Sequence, residues 1–516
     1  MISRRFSFAL ASLVVTIAAC NRDVCEEFYD GTCPTFGGGG SGGEGDGGSP
    51  NTGGGGAEPG GGGQGGDGGG GSPAGCTPTE GESVGVDCGV FVEAGETGDG
   101  SQSSPYGTLV EAVTTIGDAT RIYVCGDAMF EGSFDLPAGV SLYGGFDCGD
   151  WSYAAANPKP TILGTPDVPA VRIIGNGDST VQSVRIEAAS ATLPGKSSIG
   201  VVVSNATVDM AEVEIVAHDG FAGADPPGQE NQLSQAQGGM TGGNANNPVT
   251  NAAGGTNAVC GLSGGNGGGG GTAPNGAGVD GNQGDAGQGG TPGEGQGVSA
   301  CTNGGNGDFG TDAGSGSGAT TAIGAIGADG FTPADGAPGD AGGPGDSGGG
   351  GGGSKATTAN GAGGGGGGAG GCGGNGGPGG KGGGSSIALI SLNATITLDE
   401  SVTLTVAAGG NGGNGGIGQF GQLGGNNGGG GNGGVNGTVN GCDGGDGGPG
   451  GTGGNGGGGR GGSAIAIAYT GTEPTGGTTI IDSAAAGTPG VGGMNGVTPQ
   501  GGSGAAGVIE ARHLFE

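Results

Sequence analysis

Four separate blocks of this chain carry glycine at every third position, and mostly at two positions of three. They are 361–384 (GAG GGG GGA GGC GGN GGP GGK GGG), 409–426 (GGN GGN GGI GQF GQL GGN), 441–458 (GCD GGD GGP GGT GGN GGG) and 336–347 (GAP GDA GGP GDS). A period of three belongs neither to an α-helix nor to a β-strand; it is the period of polyproline II. Glycine leaves almost nothing to bury, so no side-chain core can run through these blocks. With 154 glycines and 25 prolines in 516 residues, an ordinary globular core over the whole length is excluded. Aromatic residues at 4 % restrict the rest to thin layers of Val, Ile and Ala. Two states fit the blocks. One is a bundle of polyproline II segments packed glycine face to glycine face, held by close backbone approach and Cα–H···O contacts of about 0.5–1 kcal/mol each. The other is a solvated bristle, since glycine loses the most backbone entropy on ordering. The triplet runs are too short, too interrupted and too poor in proline for a collagen triple helix.

The segments between the blocks differ in kind. KSSIGVVVSNATVDMAEVEIVAHDG (196–220) aligns with GSSIALISLNATITLDESVTLTVAAGG (384–410), sharing Ser-Ser-Ile and Asn-Ala-Thr at the same spacing with one inserted residue. A weaker third copy is GSAIAIAYTGTEPTGGTTIIDSAAAG (462–487). Upstream, Val171-Arg172-Ile173 and Val184-Arg185-Ile186 are followed after 29 to 30 residues by Val201-Val202-Val203 and Val213-Glu214-Ile215, a spacing that suits one turn of a β-solenoid. If the copies are successive turns, the glycine blocks at 220–384, 409–462 and 487–507 leave and rejoin the solenoid at one corner and emerge side by side. Solenoids tolerate such insertions because each turn meets only its neighbours and loop closure costs grow logarithmically.

Between Asp99 and Ser152, Leu109, Ala112, Val113 and Ile116 recur at helical spacing after Ser103-Ser104-Pro105, with Gly117 as a stop. Short strands follow at Ile122–Cys125 and Val140–Tyr143, and Trp151 lies in the loop beyond. The S-P-Y-G-T-L-x-E-A-V helix, a strand and then P-A-G-V-S-L-Y-G-G-F-D resemble the start of a pectin-lyase-like right-handed parallel β-helix, over about residues 90–160. That resemblance implies an all-β fold whose N-terminal helix covers the open end of the solenoid, with the glycine blocks as polyproline II or disordered insertions. The GGxGG texture resembles the PGRS-type repeats of bacterial surface proteins, which implies surface exposure.

Residues 1–19 read as a secretory signal, with Arg4 and Arg5 before an apolar run from Phe6 to Ile17 that is too short to span a membrane. Ile17-Ala18-Ala19-Cys20 resembles a bacterial lipobox, which implies an acylated Cys20 as a membrane anchor; Asn21 after it points to the outer membrane or cell surface. The expected order is then 20–36 with a small cysteine loop, a glycine-rich tether at 37–75, β-helix turns at 76–219, an insertion at 220–384, a turn at 385–408, an insertion at 409–462, a turn at 463–486, and a glycine turn with a terminal strand at 487–516. The tether, as a random coil, spans roughly 30–40 Å.

Apart from Cys20, ten cysteines remain, an even number suited to disulfides in an exported chain. Proximity suggests Cys25 with Cys33, Cys76 with Cys88, Cys125 with Cys148, Cys260 with Cys301 and Cys372 with Cys442, although sequence alone does not fix pairing. Zinc is the weaker use, because no CxxC pair occurs and only His218 and His513 are present.

A formal charge of −35 with 12 scattered cations argues against nucleic acid. The resemblance implies that catalysis would need carboxylates beside an Arg or Lys on one face. Arg172 and Arg185, at equivalent turn positions, with Glu187, Asp209, Glu212 and Glu214 nearby, are the candidates. Charged residues alternating with Val and Ile are more often a solvated strand face, and no catalytic motif of the superfamily is matched. His218 reads as a solvated loop residue and His513 as part of a closing strand. GGNGDFGTDAG (304–314) approaches the repeat-in-toxin calcium nonapeptide, but its aspartates are displaced and it does not repeat, so Asp308 and Asp312 are weak Ca²⁺ candidates; Asp443 and Asp446, with Asp335, Asp340 and Asp346, are further weak candidates through backbone and carboxylate oxygens, and no other cofactor is expected. The expected function is a surface structural or adhesive lipoprotein contacting glycans or other surface proteins. A polysaccharide lyase or hydrolase is the alternative, and an ice or mineral binder a distant third.

Overall fold

The computed structural model describes residues 75–516 except 231–233, 248–250, 287–288, 481–483 and 496–499. The signal segment, Cys20, Cys25, Cys33 and nearly all of the tether lie outside the described residues.

The chain winds as a three-sided solenoid. β1 (Val90–Val92) opens it, followed by α1 (Leu109–Thr115). The next turns hold β2 (Arg121–Cys125), β3 (Met129–Glu131) and β4 (Phe134–Pro137), then β5 (Ser141–Phe146), β6 (Thr161–Leu163) and β7 (Val171–Ile174), then β8 (Asp178–Gln182), β9 (Arg185–Glu187) and β10 (Ser198–Ser204). A further turn begins with β11 (Thr207–Ala211) and β12 (Glu214–Val216). The first insertion contains two hairpins, β13 (Thr256–Asn257) with β14 (Leu262–Ser263) and β15 (Gly324–Gly327) with β16 (Gly330–Pro333), before β17 (Ser386–Leu392) completes the turn. β18 (Thr395–Thr405) serves two sides and precedes β19 (Ala464–Thr470); β20 (Thr475–Ile480) and β21 (Ile509–Leu514) form the last turn.

Every pairing between turns is parallel. On the first side β1, β2, β5, β8, β11 and the first halves of β18 and β20 follow one another; on the second, β3, β6, β9, β12 and the second halves of β18 and β20; on the third, β4, β7, β10, β17, β19 and β21. Consecutive parallel turns on three sides make a parallel β-helix. Ser198 pairs with Ser386 and Thr207 with Thr395, but Glu214 pairs with Thr403, so the residue inserted in the second copy is absorbed at a corner. That corner is the register shift between Leu398 and Thr403.

The shared sequence signatures have structural causes. Asn205, Asn393 and Gly471 stack at the corner after the third side with φ of 58°, 49° and 76°, the left-handed region that Asn and Gly enter most easily. Ser197, Ser385 and Ser463 form a buried ladder in which each hydroxyl accepts the backbone N–H of the next turn: Ser385 N to Ser197 at 2.8 Å, Ser463 N to Ser385 at 2.9 Å and Val508 N to Ser463 at 3.1 Å. The ladder stands where the chain re-enters the third side, so it fixes the points at which the glycine insertions rejoin the solenoid.

The interior is thin. Val171, Ile173, Val201, Val203 and Leu389 meet Val181, Val208, Ile396, Ile186, Ile215 and Leu404 from the other two sides. The third side is apolar outside as well, and Ile199, Val202, Ile387, Ile390 and Ile465 are covered by Ile326 and Phe331 of the β15–β16 hairpin and by Phe515. A strand buried on both faces reads as a continuous apolar run, as in IGVVV and IALISL. α1 starts at Thr108, whose side chain accepts the N–H of Glu111 at 3.1 Å, three residues beyond the expected Ser-Ser-Pro start; Gly117 follows it at φ 59°. Leu109 and Ala112 are its buried residues, and it packs on β1 and β4. Trp151 is buried edge-on against Phe91, with ring centroids 4.7 Å apart.

The glycine blocks are folded. Segments 336–354 and 361–384 run antiparallel, with N–H···O=C bonds from Gly336 to Gly380, Gly339 to Gly377, Gly342 to Gly374 and Gly345 to Gly371, at 2.8–2.9 Å. Gly380, Gly377 and Gly374 in turn donate to Gly457, Gly454 and Gly451 of a parallel segment, and Gly457, Gly454 and Gly451 donate back to Ala337, Asp340 and Gly343. One bond per triplet to each partner is the polyproline II period. Segment 361–384 also meets 409–431 through Gly416 to Pro378, the run around Met240 through Gly366, and the run around Gly268 through Gly364. It is the axis of the bundle. Ordinary backbone hydrogen bonds, rather than the Cα–H···O contacts expected, hold the segments together.

The GGX triplet follows from this packing. A methyl group at Gly373 would overlap the carbonyl oxygen of Gly342, and one at Gly374 would overlap that of Gln419, so the two glycines of a triplet serve two different neighbours. The third position points elsewhere and accepts Asn375, Pro378 or Lys381. Asparagines and aspartates there cap the spare amides of adjacent segments, as Asn303 does for Asp443 N at 3.0 Å and Asn414 for Val491 N at 2.9 Å.

Among the described residues four disulfides are formed. Cys76–Cys88 and Cys125–Cys148 agree with proximity. The other two do not: Cys260 pairs with Cys372 and Cys301 with Cys442, instead of Cys260 with Cys301 and Cys372 with Cys442. Neighbours in the bundle are set by which segments lie side by side, and these are far apart in sequence. Among the described residues no helix is long and apolar enough to cross a membrane.

Candidate functional site

The strand register decides which charged side chains meet. Arg172 and Arg185 do not occupy equivalent positions: Arg172 is on β7 of the third side and Arg185 on β9 of the second. Asp209 lies on the first side and Glu212 at the corner beyond it. The six residues therefore do not form one constellation.

On the second side Arg185 bonds Glu214 at 2.8 Å and Glu187 at 3.2 Å, Lys159 reaches Glu214 at 3.3 Å, and His218 Nε2 meets Glu187 at 2.8 Å. His218 is thus tied into a network rather than merely solvated. The hydrogen bond from His218, reinforced by Arg185, holds Glu187 below its ordinary pKa. Burial acts to raise Glu214, but bonds from Arg185 and Lys159 outweigh it and the net shift is downward. Burial works to lower Arg185, and its two carboxylate partners turn the shift upward. Both carboxylates are therefore held ionised, which suits an ion-pair ladder and disfavours a general acid.

At the corner of the first side, Glu212 accepts hydrogen bonds from Ser183 Oγ at 2.5 Å and Tyr153 Oη at 2.9 Å, and Gln182 donates to Tyr153 at 2.8 Å. Ser183 is buried, so its hydroxyl is closed to a substrate. Burial, with Glu212 beside it, raises the Tyr153 phenol.

A cleft of about 630 Å³ opens between α1, β4, the β6–β7 loop and the β15–β16 hairpin. Its walls are Val110, Val113, Phe134, Val168 and Pro169; its polar groups are Asp135, Asp167, Arg172, Lys196 and Asp329. Asp135 and Arg172 are register partners on adjacent turns, and the guanidinium grips the carboxylate at both ends, with Nε at 2.6 Å and the second nitrogen at 2.8 Å. The remaining nitrogen reaches Asp329 at 3.3 Å. Burial acts to raise Asp167, but Thr192 and Leu193 donate to it and Lys196 is near, so it ends low. Of these groups sequence reasoning found only Arg172. Asp135 would have emerged from extending the turn alignment upstream; Asp329 comes from a hairpin inside an insertion and gave no signal.

Of the calcium candidates, Asp312, Asp443 and Asp446 cap amides of the bundle with their side chains, while Asp308 takes part through its backbone carbonyl, which accepts Asp346 N at 2.9 Å. Asp312 accepts Thr452 N, Asp443 accepts Gly430 N and Asp446 accepts Asn427 N, each at 2.7 Å. The one close grouping of metal-binding residue types among the described residues, Glu93 with Cys125 and Cys148, has both sulfurs in a disulfide. His513 lies on β21, edge-on to Phe515 and 2.7 Å from Glu510.

No family model and no curated protein matches the chain. Among solved structures, a pectin methylesterase from carrot is similar with a TM-score of 0.19 and 18 % identity, covering 27 % of this chain and 42 % of that enzyme. The chain thus spans less than half the length of that protein.

Proposed function

We propose that this is an exported surface protein, anchored through an acylated Cys20, that serves a structural or adhesive role and contacts envelope or matrix glycans without chemistry. One observation carries the reading. The carboxylates and cations that sequence offered for catalysis on the second side are engaged with one another, and the cleft arginine is engaged by Asp135. The disulfides fit an oxidising compartment, and a hydrogen-bonded, disulfide-linked bundle outside the solenoid fits display.

A second reading, a polysaccharide lyase or hydrolase, is favoured by one feature, an arginine between two aspartates in the cleft beside α1. Incubation with a panel of soluble polysaccharides separates the two. The adhesive reading expects neither new reducing ends nor unsaturated uronate absorbance; release that is lost in Arg172→Ala would replace it with the enzymatic one.

A further inference from the structure

The outer surface of the first side is covered over its early turns by Trp151 and Tyr153, which reaches Gln182 at the end of β8, and it lies open from Asp178 and Thr180 of β8 onward. There the outward positions are Asp178 and Thr180 on β8, Thr207 and Asp209 on β11, Thr395, Thr397 and Asp399 on β18, and Thr475 on β20. Register stacks Asp178, Thr207 and Thr395 in one column and Thr180, Asp209, Thr397 and Thr475 in the next. Neighbouring turns are about 4.8 Å apart, and outward residues on one strand roughly 6.6 Å. The carboxylates of Asp178, Asp209 and Asp399 therefore advance diagonally, one turn and one column at a time. The four strands carry no Lys or Arg. Unlike the paired ladder on the second side, the side chains of Asp178, Thr207, Asp209, Thr395, Thr397 and Thr475 have neither a hydrogen-bond partner nor a counter-ion among the described residues.

We propose that this face docks an extended amino-sugar glycan, a hydroxyl-rich polymer carrying repeated ammonium groups. The proposal rests on the adhesive reading and names its partner. Charge decides the class: unpaired carboxylates without a cation repel uronate polymers and attract ammonium groups, and a chain of net charge −35 adds to both effects. Threonine hydroxyls donate and accept, so they match sugar hydroxyls in either orientation. β8, β11 and β18 are fixed by parallel pairing on both sides, so little order is lost on binding. Each contact is exposed and weak alone, and repetition along the polymer supplies avidity.

The test is retention of the full chain on chitosan beads at about pH 6 and about 0.15 M salt, where distant charges are screened. Chitin, neutral glucan and polygalacturonate beads are run in parallel. Asp178→Asn with Asp209→Asn is compared with Asp118→Asn with Asp127→Asn, an equal charge change at exposed positions off this face. The expected result is a loss of affinity on the order of tenfold for the first pair and under about twofold for the second, with Thr397→Lys matching the first. Equal losses for both pairs mean general charge attraction and overturn the site. Retention on chitin or glucan but not chitosan overturns the ligand class and leaves the adhesive reading standing. Retention on no glycan removes that reading as well.

Discussion

Along Ser386–Leu392 every residue is buried, and side chains such as Ile387, Leu389 and Ile390 fill the space on both faces of the strand. Along 361–372 every residue is also buried, yet beyond Ala362, Ala369 and Cys372 there is no side chain at all. The solenoid excludes water with apolar side chains and hydrogen-bonds its strands laterally. The bundle excludes water by bringing backbone against backbone, so its stability lies in satisfied amides and its specificity in the absence of Cβ atoms. A core made of side chains degrades gradually when one is trimmed. A core made of missing side chains fails when one is added.

The largest effect should therefore come from Gly374→Val, whose side chain would overlap the Gln419 carbonyl. We expect the triplet blocks to lose protection in hydrogen exchange while 198–204 and 386–392 keep theirs, with Asn375→Ala, at an exposed third position, close to wild type. Leu389→Ala should do the reverse, at about 2–5 kcal/mol for a fully buried leucine. If Gly374→Val leaves the bundle protected, the close-packed account of the glycines fails.

Next come the two bundle disulfides, which close separations of 112 and 141 residues. Loops of that length correspond to roughly 4–5 kcal/mol each in the chain-entropy account. Replacing Cys260 and Cys372 with serine should lower the denaturation midpoint of the bundle more than that of the solenoid. Peptide mapping of the oxidised protein should find Cys260 with Cys372; finding it with Cys301 would break the segment order described above.

The smallest effect concerns pH. Glu187 and Glu214 are both shifted below an ordinary value of 4.5, so the folded state binds protons less readily than the unfolded chain. Their contribution is present in full above about pH 4.5 and is lost as pH falls through their lowered folded values. Thermal stability measured from pH 6 to pH 3 should fall, and Glu187→Gln should flatten that fall at the cost of some stability at pH 6. An unchanged slope in the variant would show that the ladder does not carry the acid sensitivity.

Much of the fold was legible. The 188-residue step from Ser198 to Ser386 and from Thr207 to Thr395 appears directly in the repeated Ser-Ser-Ile and Asn-Ala-Thr, because stacked turns demand the same residues at the same corner. That the insertions share one corner followed from it. The candidate cleft was scarcely legible: Asp135, Arg172 and Asp329 lie 37 and 157 residues apart, and only the register of two turns and the return of a hairpin join them. The apparent equivalence of Arg172 and Arg185 failed for a related reason, since Val-Arg-Ile suits any side of a solenoid and local pattern does not say which.

Sequence by itself determined the period of each region. Alternation and repetition set the strands and their stacking; two glycines in three set polyproline II segments that can approach backbone to backbone. Which triplet segment lies beside which, and so which cysteines pair, was decided by the tertiary structure alone. One GGX run offers the same donors, acceptors and empty faces as the next, so local chemistry does not choose between partners; the solenoid corner from which each run departs, and the direction in which it returns, does.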